Sequence, residues 1–178
     1  MVIDPDVRRL FALLGACGLA VSAFSYVESF STERMDTIFR SSVILVPIWM
    51  ALLIPMYAIE YPASRAWNFA WKVLARGMPR WVAPSFNLLL LISLGHILWF
   101  AVHAGGWGAP DIWDGQYVLA ARGHILKTLT QTEYLELRAA EARMFATAMF
   151  SLFFPLTMYW WFRRNDGHAV REARINEN

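Results

Sequence analysis

The sequence predicts an all-α membrane protein: a four-transmembrane-helix bundle with an interfacial amphipathic helix and a short extracytoplasmic β-hairpin. Three observations carry this. The 178 residues are 57% hydrophobic and only 17% charged, where an average soluble domain carries about 25% charge. Four runs, at about 10–27, 41–59, 86–102 and 144–162, pass without Asp, Glu, Lys or Arg. Basic residues gather in both tails and in the connection between the second and third runs. The whole chain, 1–178, reads as one polytopic membrane domain.

A spanning helix needs about 20 mostly apolar residues, whereas a soluble helix of that length keeps charge on one face. Backbone amides in lipid must be bonded within their own segment, so the runs read as helices. Alternating ten-residue strands of a barrel are not seen in the pattern. A single Cys excludes a disulfide framework or a cysteine-built zinc site. A net charge of +2 is too small for a nucleic-acid binder.

The first run follows Arg8 and Arg9, as an apolar signal segment would. It is longer than the usual core of about 7–15 residues, and no small-x-small cleavage site closes it, so the span is expected to be retained. Within it Gly15, Gly18, Ser22, Ser25 and Ser29 recur at helical spacing and form one strip of small side chains. Small residues let helix backbones approach closely in lipid. The strip is expected to pack on another helix of the same chain, with a dimer seam as the other reading. Pro47 and Pro55 in the second span and Pro155 in the fourth are expected to kink their helices.

The connection after the second span places Trp67, Trp71 and Leu74 on one helical face. Arg65, Asn68, Lys72 and Arg76 fall on the other, and Gly77 and Pro79 end the pattern. This suits a helix lying flat at the headgroups. Trp81, Trp107, Trp113, Trp160 and Trp161 flank spans as an aromatic belt does.

The third connection, 103–143, alone has soluble character. Gly105 to Pro110 opens it and is incompatible with regular helix. Gln116–Ala121 and His124–Leu129, joined by Arg122-Gly123, read as a hairpin. Thr130 and Glu133 then form a capping box, and nothing breaks a helix from there to Phe162. Ten of the sixteen Lys and Arg residues lie in the tails and second connection. That places both termini in the cytoplasm and 103–143 outside it, in a bacterial inner membrane.

Chemistry-bearing motifs are sparse. His96 lies mid-span with His103 two turns on, and intramembrane polar groups are functional candidates by default. They are low-ranked haem ligands, because bis-His ligation draws on two helices; the first expectation is that His96 bonds a neighbouring helix. Ser93 and His96 lack the orienting acid of a hydrolase. Asp111–Gly115 followed by Ala121-Arg122 departs from the CDP-alcohol phosphotransferase motif in its gap and in its missing downstream aspartates. Cys17 has no activator and reads as a packing residue. No catalytic residue, metal site or cofactor is expected.

The leading reading is therefore a non-enzymatic integral inner-membrane protein that acts by protein–protein interaction. It would serve as an accessory subunit of a membrane complex or as an immunity-type protective binder. Trp107, Trp113, Tyr117 and Tyr134 are the expected exposed anchors, being the aromatic groups of the loop with most recognition potential. Expected partners are membrane lipid and other membrane subunits or further copies of the chain, with no nucleic acid. A small oligomeric channel or transporter, or a haem-bearing redox subunit, are the alternative classes.

Overall fold

The structure, a computed structural model, describes residues 4–30, 35–60, 78–104 and 108–162, with side chains of 45–58 in the second of these segments. Four helices, α1 (Pro5–Glu28), α2 (Met35–Glu60), α3 (Val82–His103) and α4 (Gln131–Phe162), account for most of it. Between α3 and α4 lie β1 (Ala109–Trp113), β2 (Gln116–Ala121) and β3 (His124–Thr128). The expected interfacial helix around Trp67 and Trp71 falls outside the described residues.

Three helices, α1, α3 and α4, are long and apolar enough to cross a membrane; in α2 the described side chains give a shorter apolar stretch, Leu45–Ala58. Helix α1 starts earlier than its apolar run, because Asp4 accepts a hydrogen bond from the Asp6 amide at 2.8 Å and Pro5 occupies the first turn. Proline is suited there, since that amide has no partner within the helix. Both α2 and α4 continue through their prolines, Pro47, Pro55 and Pro155.

Helix α4 is the spine, packing against α1, α2, α3 and two strands. One core joins α1, α2 and α4 around Ala12, Leu52, Met149, Phe153 and Trp160. The Trp160 indole N–H donates to the Leu52 carbonyl at 3.3 Å, tying α4 to α2. A second core, Phe100, Ala104, Leu119, Leu137 and Ala140, joins α3 to β2 and α4.

Gly15, Gly18, Ser22, Ser25 and Ser29 are all buried. The first two face α4 of the same chain: a Cβ on Gly15 would overlap the Thr157 hydroxyl, and one on Gly18 would overlap the Phe153 ring. Ser22 satisfies its hydroxyl locally, on the Gly18 carbonyl at 2.8 Å. The outside of the bundle is the reverse. On α3, Leu88, Leu91, Leu98 and Val102 are 56–76% exposed, while Ser93 is buried.

Ser93 carries an interhelical polar contact of α3. Its hydroxyl lies 3.0 Å from the Thr147 carbonyl and 2.6 Å from the Ser151 hydroxyl, and Ser151 in turn reaches the Thr147 carbonyl at 2.9 Å and the Leu89 carbonyl of α3 at 3.2 Å. Its partners are thus on α4, and His96 is not among them.

The region expected to be a two-stranded hairpin is a three-stranded antiparallel sheet in the order β1-β2-β3. The added strand pairs Trp113 with Gln116 and Ala109 with Ala120. Its turn, Asp114-Gly115, has φ of 50° and 77°, and the second turn, Arg122-Gly123, has 51° and 80°. Two-residue hairpins of this hand follow the natural twist of the strands. A bulge at Leu119/Ala120 shifts the β2–β3 register.

Candidate recognition surface

The sheet and the first three turns of α4 form one unit, docked on the end of the bundle through the α3–β2–α4 core. Helix α4 begins within the capping box, directly after Thr130. The Thr130 amide donates to Glu133 at 2.8 Å, and the Glu133 amide donates back to the Thr130 hydroxyl at 3.2 Å. Lys127 at the end of β3 reaches the same carboxylate at 2.8 Å. Lys127 foremost, then the Thr130 amide and the Thr130 hydroxyl, 3.1 Å from the carboxylate, pull the Glu133 carboxyl down to about 2 from an ordinary 4.5. The strand, the turn and the helix start are thus joined at one carboxylate.

Between the sheet and α4 lies an open cleft of about 330 Å³, whose walls include Asp111, Trp113, Ala121, Arg122, Arg138 and Glu141. Asp111 accepts from the Ile112 amide at 2.8 Å and from the Trp113 indole at 2.9 Å. The indole, then the amide, hold its carboxyl below the ordinary carboxylate range, with the Arg138 charge adding to them. Arg138 donates to Glu141 at 2.7 Å one turn along α4, both side chains being largely shielded. The cleft therefore carries fixed charge of both signs. Arg122 stands differently. It is exposed on the second turn, in a left-handed backbone conformation that costs a residue other than glycine about 1–2 kcal/mol.

The expected anchors separate. Trp113 is partly exposed on the cleft wall, its indole held by Asp111. Tyr117 is partly exposed and packs on Tyr134 with ring centroids 4.8 Å apart. Tyr134, expected as an exposed anchor, is instead buried at 9% exposure, because the sheet folds back over the first turn of α4. It serves as the seat for Tyr117. Trp107 lies outside the described residues. The sequence reading missed Arg122; the signal was present as an Arg-Gly pair at the bend.

The histidines also differ from expectation. The His96 ring bonds its own helix, Nδ1–H donating to the Ile92 carbonyl at 2.9 Å. The carbonyl can only accept, which fixes the proton on Nδ1. Its contact with α1 is through the ring, edge-on to Tyr26 at 5.8 Å. His103 repeats the pattern on the Trp99 carbonyl at 2.9 Å and stacks on the Trp99 ring at 3.9 Å. Among the described residues no three His, Cys, Asp or Glu side chains converge on one point. Cys17 faces outward from the bundle.

No family model, no curated protein and no solved structure matches the chain.

Proposed function

We propose that this chain is an integral membrane protein of the bacterial inner membrane, without enzymatic activity, that recognises a partner protein through the sheet and the head of α4. Its role would be that of an accessory subunit of a membrane complex or of a protective binder of the immunity type. The membrane part is supported by the outer surface: α1 turns its small and hydroxylic residues inward and Leu10, Leu13, Phe24 and Val27 outward, and α3 exposes Leu88, Leu91 and Leu98, an apolar area that water does not favour at this size. It is also supported by the spacing of charge along the bundle. Arg143 lies over the Phe30 ring at 5.1 Å near one end of α1, and Arg9 lies near the other end, beside Trp161. From Arg143 to Trp161 the helix rises about 27 Å, close to the hydrocarbon thickness of about 30 Å.

One observation carries the recognition reading: Arg122, exposed and held in a strained left-handed turn at the mouth of a cleft, has no ion-pair partner among the described residues, whereas the carboxylates of Asp111 and Glu141 and the Arg138 guanidinium are each hydrogen-bonded. Strain of this kind tends to persist where a side chain must be presented. Trp113 lines the same cleft and supplies rigid aromatic area, a residue type that dominates interface energetics. Ile112 and Ile125, each 50% exposed, extend the apolar area along the sheet.

The test replaces Arg122 with glycine. Glycine accepts the backbone conformation, so relief of strain offsets its larger unfolded-state entropy, and stability stays within about 1 kcal/mol. With a photo-crosslinking residue at Ile112, the unaltered chain in its native membrane is expected to give one dominant protein adduct by mass spectrometry. Arg122→Gly is expected to lose that adduct while melting normally. Adducts with lipid alone, or an unchanged adduct in Arg122→Gly, would overturn the reading.

A further inference from the structure

The opposite end of the bundle holds a second cleft, of about 400 Å³, between the start of α1 and the end of α4. Its walls are Arg8, Arg9, Ala12, Leu13, Trp160 and Trp161. The polar end has two guanidinium groups, which bind phosphate oxygens through fixed forks of N–H donors. The floor is apolar and fixed. Trp160 is fully buried, its N–H is used on Leu52, and its ring lies 4.7 Å from that of Phe11. Trp161, by contrast, is 58% exposed, and its indole makes no hydrogen bond among the described residues. Leu13, on the cleft wall, is 57% exposed, and the apolar surface continues along α1.

We propose that this cleft binds an anionic phospholipid. The phosphate would sit on Arg9 with the Arg8 charge beside it, the Trp161 indole would donate to headgroup or glycerol oxygens, and the acyl chain would leave over Leu13. The inference rests on the membrane reading above. Three features select this occupant. Paired cations beside an apolar floor match an amphiphile with an anionic head, and neither a free anion nor an apolar chain uses both. The cleft sits at a Trp-lined end of the bundle, where headgroups lie. A zwitterionic head would bring its ammonium toward two arginines, so net negative lipid is preferred. The acid closest in sequence, Asp6, pairs with Arg9 at 3.6 Å, with both side chains at least 75% exposed. Such a long, hydrated pair is weak and leaves most of the Arg9 donors available.

The test uses the full chain in neutral detergent, with lipid retention read by native mass spectrometry. Phosphatidylglycerol is expected to be retained roughly tenfold or more over phosphatidylcholine, because the choline ammonium opposes the attraction of both arginines. Arg8→Gln with Arg9→Gln is expected to abolish the preference while the chain stays folded and monodisperse in detergent, and Arg9→Gln alone to reduce it several-fold. Trp161→Phe is expected to weaken retention several-fold. Glycerol phosphate at millimolar concentration is expected not to compete. Equal retention of both lipids, full competition by glycerol phosphate, or an equal loss on changing Arg163 and Arg164 to Gln would overturn the proposal. The last outcome would mean diffuse attraction in place of a site. Failure of the membrane reading gives a different result: a chain that is monodisperse in buffer without detergent.

Discussion

At the scale of single residues, the bundle depends on what is missing from α1. Gly15 and Gly18 leave no room for a methyl group. A Cβ at Gly15 would meet the Thr157 hydroxyl and come within 3.2 Å of the Thr157 backbone; one at Gly18 would come within 2.8 Å of the Phe153 Cζ. Phe153 has no exposed surface into which to move. Gly95 on α3 has nothing within 4 Å of its own Cβ position. Overpacking a tight core costs about 1–3 kcal/mol. Gly15→Ala and Gly18→Ala are therefore expected to lower the melting temperature of the detergent-solubilised protein, and Gly95→Ala to leave it unchanged or raise it. Equal effects at all three positions would show that the strip does not set the helix spacing. The Ser93–Ser151 pair tests the polar interior in the same way. Hydrogen bonds between helices in lipid are worth about 0.6 kcal/mol, reaching about 1.7. Ser93→Ala and Ser151→Ala are each expected to destabilise within that range, and the double variant to fall short of their sum in a double-mutant cycle. Strict additivity would mean that each hydroxyl acts through a backbone carbonyl alone.

At the scale of elements, the start of α4 is the part the sequence states most directly. Thr130-x-x-Glu133 is a chemical pattern with a local consequence, so the helix begins at Gln131 without help from distant residues. Thr130→Ala is expected to cost about 1 kcal/mol of stability and to speed amide exchange in the first turn of α4. The carboxylate gives the cap a pH dependence. Glu133 titrates at about 2 when folded, against 4.5 in its ordinary state. Its folded-state value is the lower, so its contribution is complete above about 4.5 and is lost as pH falls through about 2. The carboxyl carbon shift of Glu133 is expected to show a midpoint near 2. Lys127→Gln removes the largest cause and is expected to move that midpoint upward; no movement would place the cause in Thr130. Strand β1 was less legible. Pro110 and Asp111 weaken any strand pattern there, and Asp114-Gly115 drew attention as part of a catalytic motif that fails. Read as a turn, the same Asp-Gly pair is a strong hairpin signal, and it identifies the strand before it. Tyr134 was misjudged for a different reason. Helical periodicity gives the face of a residue, yet only the fold of the sheet decides which face it covers.

At the scale of the whole molecule, hydropathy and charge made the helices and their order legible, because burial in a membrane-like environment selects composition over long stretches. What pairs with what was not legible. The Ser93–Ser151 contact and the Trp160–Leu52 bond join residues far apart in sequence, and a single sequence carries no record of such pairings. The assembled molecule also states something the runs alone do not. Arg8 and Arg9 line the same cleft as Trp160 and Trp161, so the start of α1 and the end of α4 lie at one end. The sheet and Arg143, which lies over Phe30, are at the other. In a membrane this arrangement leaves two orientations only, and the excess of basic residues in the tails and second connection favours the ends in the cytoplasm. Single cysteines decide between them. In a Cys17→Ser background, a cysteine at Asp114 on the first turn of the sheet is expected to react with a membrane-impermeant maleimide on intact spheroplasts. A cysteine at Asp6 is expected to react only after the membrane is opened. The reverse pattern would move the sheet into the cytoplasm and with it the side on which a partner must be sought. Labelling of both positions in intact spheroplasts would contradict the spanning bundle itself, because the span of α1 and α4 separates those two sites.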